Sequence, residues 1–201
     1  MKSIFYIEMD EAKEILISVL AISLALAIAN GGIGVFLNLR VLLILLVLFT
    51  ITVGSGFILH EMAHKIVAIH YGAYARFQMW MQGLLLMLGL SFLGVVFAAP
   101  GAVYIYSHNI TKKENGIISA AGPLTNILIA LVFLGLTFIA PLKAGGFDIW
   151  LLGARVNAFL ALFNMIPIFP LDGSKVFQWN WMAWLGVVLI AGGMLLNLGF
   201  F

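Results

Sequence analysis

From Ile15 to Leu39 the chain carries no charged residue, and from Val41 to Leu59 it carries none either; Arg40 alone stands between them. A helix that crosses a bilayer needs about 20 mostly apolar residues, because every backbone polar group must be satisfied inside the segment. These runs fit no soluble fold. Composition agrees: 64% of the 201 residues are hydrophobic and 9% are charged, against about a quarter charged in soluble domains. The expected fold class is an all-α polytopic membrane protein with about five to six transmembrane helices. A net charge of +2, with no alternation of basic and aromatic residues, excludes nucleic acid as a partner. With no cysteine, disulfides and thiolate metal sites are excluded as well.

Spans are expected near 12–30, 40–71, 116–141, 149–168 and 181–201. Asn30-Gly31-Gly32 ends the first, Gly72 ends the second, and Pro141 closes the third. Glu8, Asp10, Glu11 and Glu14 precede the first apolar run. A secretory leader begins with basic residues, so this helix reads as retained and its acids as a solvated face. Phe77–Ser107 holds no Asp, Glu, Lys or Arg. "ARFQMWMQ" and "GAVYIY" in and around it read as short strands, and 83–99 between them either crosses once or re-enters. A re-entrant or β-containing segment is therefore expected near 73–110. Trp80, Trp150, Trp179, Trp181 and Trp184 stand near span ends, as in an interfacial aromatic belt. The chain, 1–201, reads as a single transmembrane domain.

The second run leads without a break into His60-Glu61-Met62-Ala63-His64. Residues four apart share one helix face, so His60 and His64 offer two imidazoles to one metal ion. Glu61 stands beside them as a general base toward water at the metal, the H-E-x-x-H logic of zinc hydrolases. Ionisable residues within a span are costly and mark function. His60 lies 20 residues, roughly 30 Å of helix, beyond Arg40, which places the pair near the second membrane interface. Lys65 is expected to snorkel to that interface, and His70 and His108 to be ordinary interfacial residues. A catalytic Zn²⁺ takes three protein ligands. The distal candidate is Asp172 in "FNMIPIFPLDGSKV", on irregular backbone after Pro167 and Pro170.

"HEMAH" (60–64), "AAGPLTN" (120–126) and "FNMIPIFPLDG" (163–173) together resemble the site-2 protease family of intramembrane zinc metalloproteases. The resemblance covers about residues 50–176. It implies one Zn²⁺ held by His60, His64 and Asp172, with Glu61 as the base. It further implies Asn164 steadying a substrate carbonyl or the oxyanion, and Asn126 in a supporting role. The substrate would be a single-span transmembrane protein, cleaved in the bilayer. Two departures stand out: the long apolar segment 77–107 between the first two motifs, and no regulatory PDZ or CBS module.

Zinc shared by residues 60–64 and 172 requires both at one membrane face. Asn126 reaches that depth only if its helix starts on the same face, so the chain makes an even number of crossings between 72 and 115. Lys2, Lys13, Lys65, Arg76, Lys112, Lys113 and Lys175 then gather on the zinc side; Arg40, Lys143 and Arg155 lie on or near the other. The positive-inside rule places the site toward the cytoplasm of a cell membrane. The unwound substrate could add as a strand along "ARFQMWMQ". The alternative function is a metal-binding membrane protein or transporter without proteolysis. A transporter distributes ionisable residues over several spans, whereas here they cluster at one depth.

Overall fold

The computed structural model describes residues 7–96, 100–107, 109–144 and 147–199; Lys2, His108 and the end of the 83–99 segment lie outside them. Helix α1 (Met9–Gly31) begins with Asp10 and Glu11 in its first turn and stops at Gly32, whose φ is 62°. Negative charge there suits the helix dipole. A 3₁₀ turn (Ile33–Leu37) follows. Asn38 then opens α2 (Leu39–Phe49), its Oδ1 accepting from the Val41 amide at 3.2 Å. A π-helical turn, Thr50–Gly54, joins α2 to α3 (Ser55–His70). The three form one continuous helix of 32 residues, roughly 48 Å long. Gly72, at φ 79°, turns the chain away.

Strands β1 (Tyr74–Met79) and β2 (Gly101–Tyr106) pair antiparallel, from Tyr74 opposite Tyr106 to Met79 opposite Gly101. Both short strands expected from sequence are present. Between them α4 (Met81–Ser91) has 11 residues, roughly 16 Å, about half of a hydrocarbon core of ~30 Å. Because the strand ends are paired, the segment leaves and returns at the same place.

Helix α5 (Lys112–Ile139) opens on a capping box: Thr111 Oγ1 accepts from the Glu114 amide at 3.2 Å, and Glu114 Oε2 accepts from the Thr111 amide at 2.8 Å. A two-residue ladder, β3 (Lys143–Ala144) with β4 (Phe147–Asp148), leads to α6 (Ile149–Asn164), α7 (Asp172–Trp179) and α8 (Trp181–Leu198). Helix α5 sits at the centre, packed on α3, α6 and α7. Buried Ala120, Ile127, Ala161, Met165, Val176 and Ala191 fill the space between α5, α6, α7 and α8. Buried Ile22, Val53, Leu84 and Met87 join α1, α4 and the long helix.

Among the described residues, four helices are long and apolar enough to cross a membrane: Met9–Gly31, Leu39–His70, Lys112–Ile139 and Trp181–Leu198. The expected span at 149–168 is shorter, a 16-residue helix ending at Asn164. Pro167 cannot continue it and the chain has already turned. The outer surfaces are apolar, with Phe138 81% and Leu196 80% exposed, as a lipid-facing surface requires.

Two side-chain expectations are corrected. Only part of the acidic cluster is a solvated face, with Asp10 exposed beside Lys13 while Glu11 is buried, and Lys65 does not snorkel. Glu11 is 1% and Lys65 4% exposed, and both Glu11 carboxylate oxygens lie 2.6 Å from Lys65 Nζ. Glu11 Oε1 also accepts from the Phe77 amide at 3.0 Å, and Glu14 Oε2 from the Met79 amide at 2.9 Å. The inner surface of α1 offers carboxylates that are paired rather than hydrated. Trp184 bonds inward to the buried Met165 carbonyl and Trp150 bonds to the exposed Ala140 carbonyl at the end of α5, while Trp80 and Trp181 are exposed. Removing one partner of a buried ion pair costs about 3–5 kcal/mol, whereas an apolar replacement of both is often tolerated. Glu11→Ala is expected to lower thermal stability in detergent by that order. Glu11→Ala combined with Lys65→Met should recover only part of the loss, because the Phe77 amide still lacks its acceptor.

Candidate metal centre

The site forms where α3, α5 and α7 meet. His60 and His64, one turn apart on α3, are buried, as is Asp172, the first residue of α7. Their Nε2 atoms lie 3.0 Å apart, and Asp172 Oδ2 lies 3.3 Å from His60 Nε2 and 3.1 Å from His64 Nε2. These donors converge within 4.8 Å. Asp172 therefore opens a helix rather than forming a plain Asp-Gly turn, and it joins the two histidines as the sequence predicts.

The hydrogen-bond partners of the imidazoles fix their tautomers. His60 Nδ1 lies 2.6 Å from Asn126 Oδ1, and His64 Nδ1 lies 2.7 Å from the Ile118 carbonyl oxygen. Both oxygens can only accept, so each Nδ1 donates its hydrogen. Each neutral ring then directs an Nε2 lone pair at the other and at a carboxylate oxygen. Three such donors repel one another unless a cation lies between them. Zinc bonds of 2.0–2.2 Å imply tetrahedral edges of roughly 3.3–3.6 Å, slightly longer than the triangle observed. The donor set, two imidazoles and one carboxylate, also matches that metal.

Glu61 is buried beside the pair, and its Oε2 accepts from the Val103 amide of β2 at 2.8 Å. Asn164, the last residue of α6, lines two cavities that also share His60, Glu61 and Gly101. Its Nδ2 donates to the Leu160 carbonyl at 2.9 Å. Asn126 is fully buried and reaches His60 directly. His70 is exposed, edge-on to Tyr71 at 5.4 Å, and stands apart from the cluster.

Other contributions escaped the sequence reading. Gly122 lets the α5 backbone pass against the imidazoles; a Cβ there would overlap the Nε2 atoms of both His60 and His64. Its signal was the Gly-Pro pair inside a helical run. Pro123 has no N–H, which leaves Ser119 without its helical donor one residue from the carbonyl that fixes His64. Asn157 on α6 is also buried at the back of the site. A correction concerns "ARFQMWMQ": the outward Phe77 and Met79 amides of β1 are occupied by Glu11 and Glu14. That edge is closed to an added strand. Strand β2 lines the site instead, through Gly101, Val103 and Ile105.

Comparison with known proteins places this arrangement. The chain is 49% identical over 154 residues to a Methanocaldococcus jannaschii protein named "Putative zinc metalloprotease MJ0611", covering 75% of this chain and 79% of that one. It is 35% identical over 130 residues to "Putative zinc metalloprotease Rip2" of Mycolicibacterium smegmatis, covering 57% and 50%. It is 28% identical over 151 residues to "Putative zinc metalloprotease YwhC" of Bacillus subtilis, covering 64% and 66%. The chain thus spans half to four-fifths of the length of these three relatives. No family model and no solved structure matches it. The chain belongs to the site-2 protease-like family of zinc metalloproteases.

Gly122→Ala is expected to abolish stoichiometric zinc binding without unfolding the protein, measured as metal content after gel filtration beside a thermal melt. Wild-type metal content in that variant would contradict the close approach.

Proposed function

We propose that this chain is an intramembrane zinc metalloprotease, a single transmembrane domain that hydrolyses a peptide bond in the membrane-spanning helix of a single-span substrate. The carrying observation is the convergence of His60, His64 and Asp172 with Glu61 beside them, in a chain of long apolar helices. The family membership supports the same reading.

His60, His64 and Asp172 would hold Zn²⁺. Bound there, the ion supplies a Lewis acid that polarises the scissile carbonyl and brings water toward a pKa near 7. Glu61 is the general base. Its Oε2 is fixed by the Val103 amide, which leaves Oε1 to take a proton from the attacking water. The same carboxyl then returns the proton to the leaving amine. Asn164 serves the developing oxyanion when its amide exchanges the Leu160 carbonyl for substrate. Asn126 acts behind the site, by holding His60.

A helical substrate hides its carbonyls in its own hydrogen bonds, so it must be extended to react. The edge of β2 that faces the cavity could take an extended peptide along the residues flanking Val103, whose own amide is held by Glu61. The acidic α1 closes the opposite edge, so the substrate is directed to the side where the base stands. The paired strand ends support an even number of crossings between 72 and 115. The excess of lysine and arginine on the site's face supports a cytoplasmic orientation in the cell membrane.

The test is cleavage of a panel of single-span membrane proteins by purified protein in detergent, with zinc content measured in every sample. Wild type is expected to cleave, and chelator to stop it. Glu61→Gln should retain zinc and lose activity by at least about 100-fold, the lower end of what a general base contributes. Retained cleavage by Glu61→Gln would overturn the assigned role. Bound zinc without cleavage of any substrate would favour a metal-binding protein that is not a protease. Cysteines replacing the exposed Tyr74 and Lys113 should both label from the cytoplasmic face, and labelling from the outer face would overturn the orientation.

A further inference from the structure

Behind the metal-facing side of His60 runs a short buried chain of amides. Asn157 is 0% exposed, as is Asn126. Asn157 Nδ2 donates to two backbone carbonyls, Thr52 at 3.1 Å and Gly153 at 2.9 Å. Its Oδ1 accepts from Asn126 Nδ2 at 2.9 Å, which also donates to the Gly56 carbonyl at 3.3 Å. Asn126 Oδ1 in turn faces His60 Nδ1 at 2.6 Å.

Each link fixes the direction of the next. Carbonyls only accept, so the amino group of Asn157 must face Thr52 and Gly153, and its oxygen must face Asn126. That oxygen, with the Gly56 carbonyl, holds the amino group of Asn126 away from His60. The Asn126 oxygen is left toward the ring, and His60 must carry its hydrogen on Nδ1. Were Asn126 reversed, its N–H would meet Nδ1, the ring hydrogen would move to Nε2, and the metal-facing lone pair would be lost. The backbone is shaped for this chain. Thr52 lies in the π-helical turn, where the usual i to i+4 pattern is interrupted. At Gly56 a Cβ would overlap Asn157 Oδ1.

We propose that Asn157 is a positioning residue for the metal centre: through Asn126 it sets the tautomer and orientation of His60. This rests on the reading of His60, His64 and Asp172 as metal ligands, and it assigns a role to a residue two turns from the nearest proposed catalytic group on α6. Partners that orient a metal-bound histidine typically carry 10–100-fold in metal affinity.

The experiment measures zinc affinity by chelator competition, and the visible spectrum with cobalt in place of zinc, for purified protein in detergent. Asn157→Leu should weaken zinc by about 10–100-fold and alter the cobalt spectrum. Adding Asn157→Leu to Asn126→Leu should cost little more than Asn126→Leu alone, because both act through the same hydrogen bond. A melting temperature that falls in Asn157→Leu while affinity and spectrum stay at wild type would overturn the proposal and leave a structural role. ¹⁵N NMR of histidine-labelled, chelator-treated wild type needs no variant to fold: Nδ1–H on His60 supports the proposal and Nε2–H overturns it. Wild type that binds no metal would instead defeat the underlying site reading, a result distinct from either.

Discussion

Three lone pairs, from His60, His64 and Asp172, point at one spot in a scaffold whose exterior is apolar. In water such a convergence would be relieved by hydration or by rotation of a ring. Here the rings cannot turn, because each Nδ1 hydrogen is already bonded to an oxygen that can only accept. Breaking either bond would strand a polar group in a dry interior, at a cost of about 1–3 kcal/mol. Much of the surrounding structure follows from holding this arrangement. Helix α5 must come close, which requires Gly122, and it must present Asn126 and the Ile118 carbonyl at the right heights. Asp172 must start a helix rather than float in a loop.

The candidate ligands were legible because their signal is local. Two histidines four apart share a face on any helix, and a lone Asp-Gly after two prolines is conspicuous in a chain with so few acids. The strands were legible too, since "GAVYIY" alternates and stands apart from the helical runs. What escaped depends on partners far along the chain. Glu11 and Lys65 are 54 positions apart and Glu14 and Met79 are 65 apart. An acid before an apolar run reads as solvated until the strand that covers it is known. Asn157 looks like an incidental polar residue in an apolar helix, and only the meeting of α6 with the π-helical turn shows what it bonds. The length of α6 was overread because hydropathy continues through Ile166 and Ile168 after the helix has ended. Apolar character reports burial or lipid contact, not conformation.

The hairpin shows how the same device settles two questions at once. A two-stranded sheet has two edges, and an unpaired edge is a site where another chain adds. Carboxylates of α1 occupy amides on the outer edge of β1, so that edge is closed. On β2 the Val103 amide meets Glu61, and its neighbours line the cavity. The carboxylate that would take the proton is thereby bonded to the strand that would hold the substrate. Any displacement of β2 moves the base, and any peptide paired along β2 comes to rest at a fixed height relative to it. Glu11 adds a second tie, because it bonds both the Phe77 amide of β1 and Lys65, which directly follows His64. The hairpin is thus fastened to the metal helix at two points, one through each strand. A two-stranded hairpin has little packing of its own to hold it, and these polar ties, made to buried groups on α1 and α3, give it a defined position.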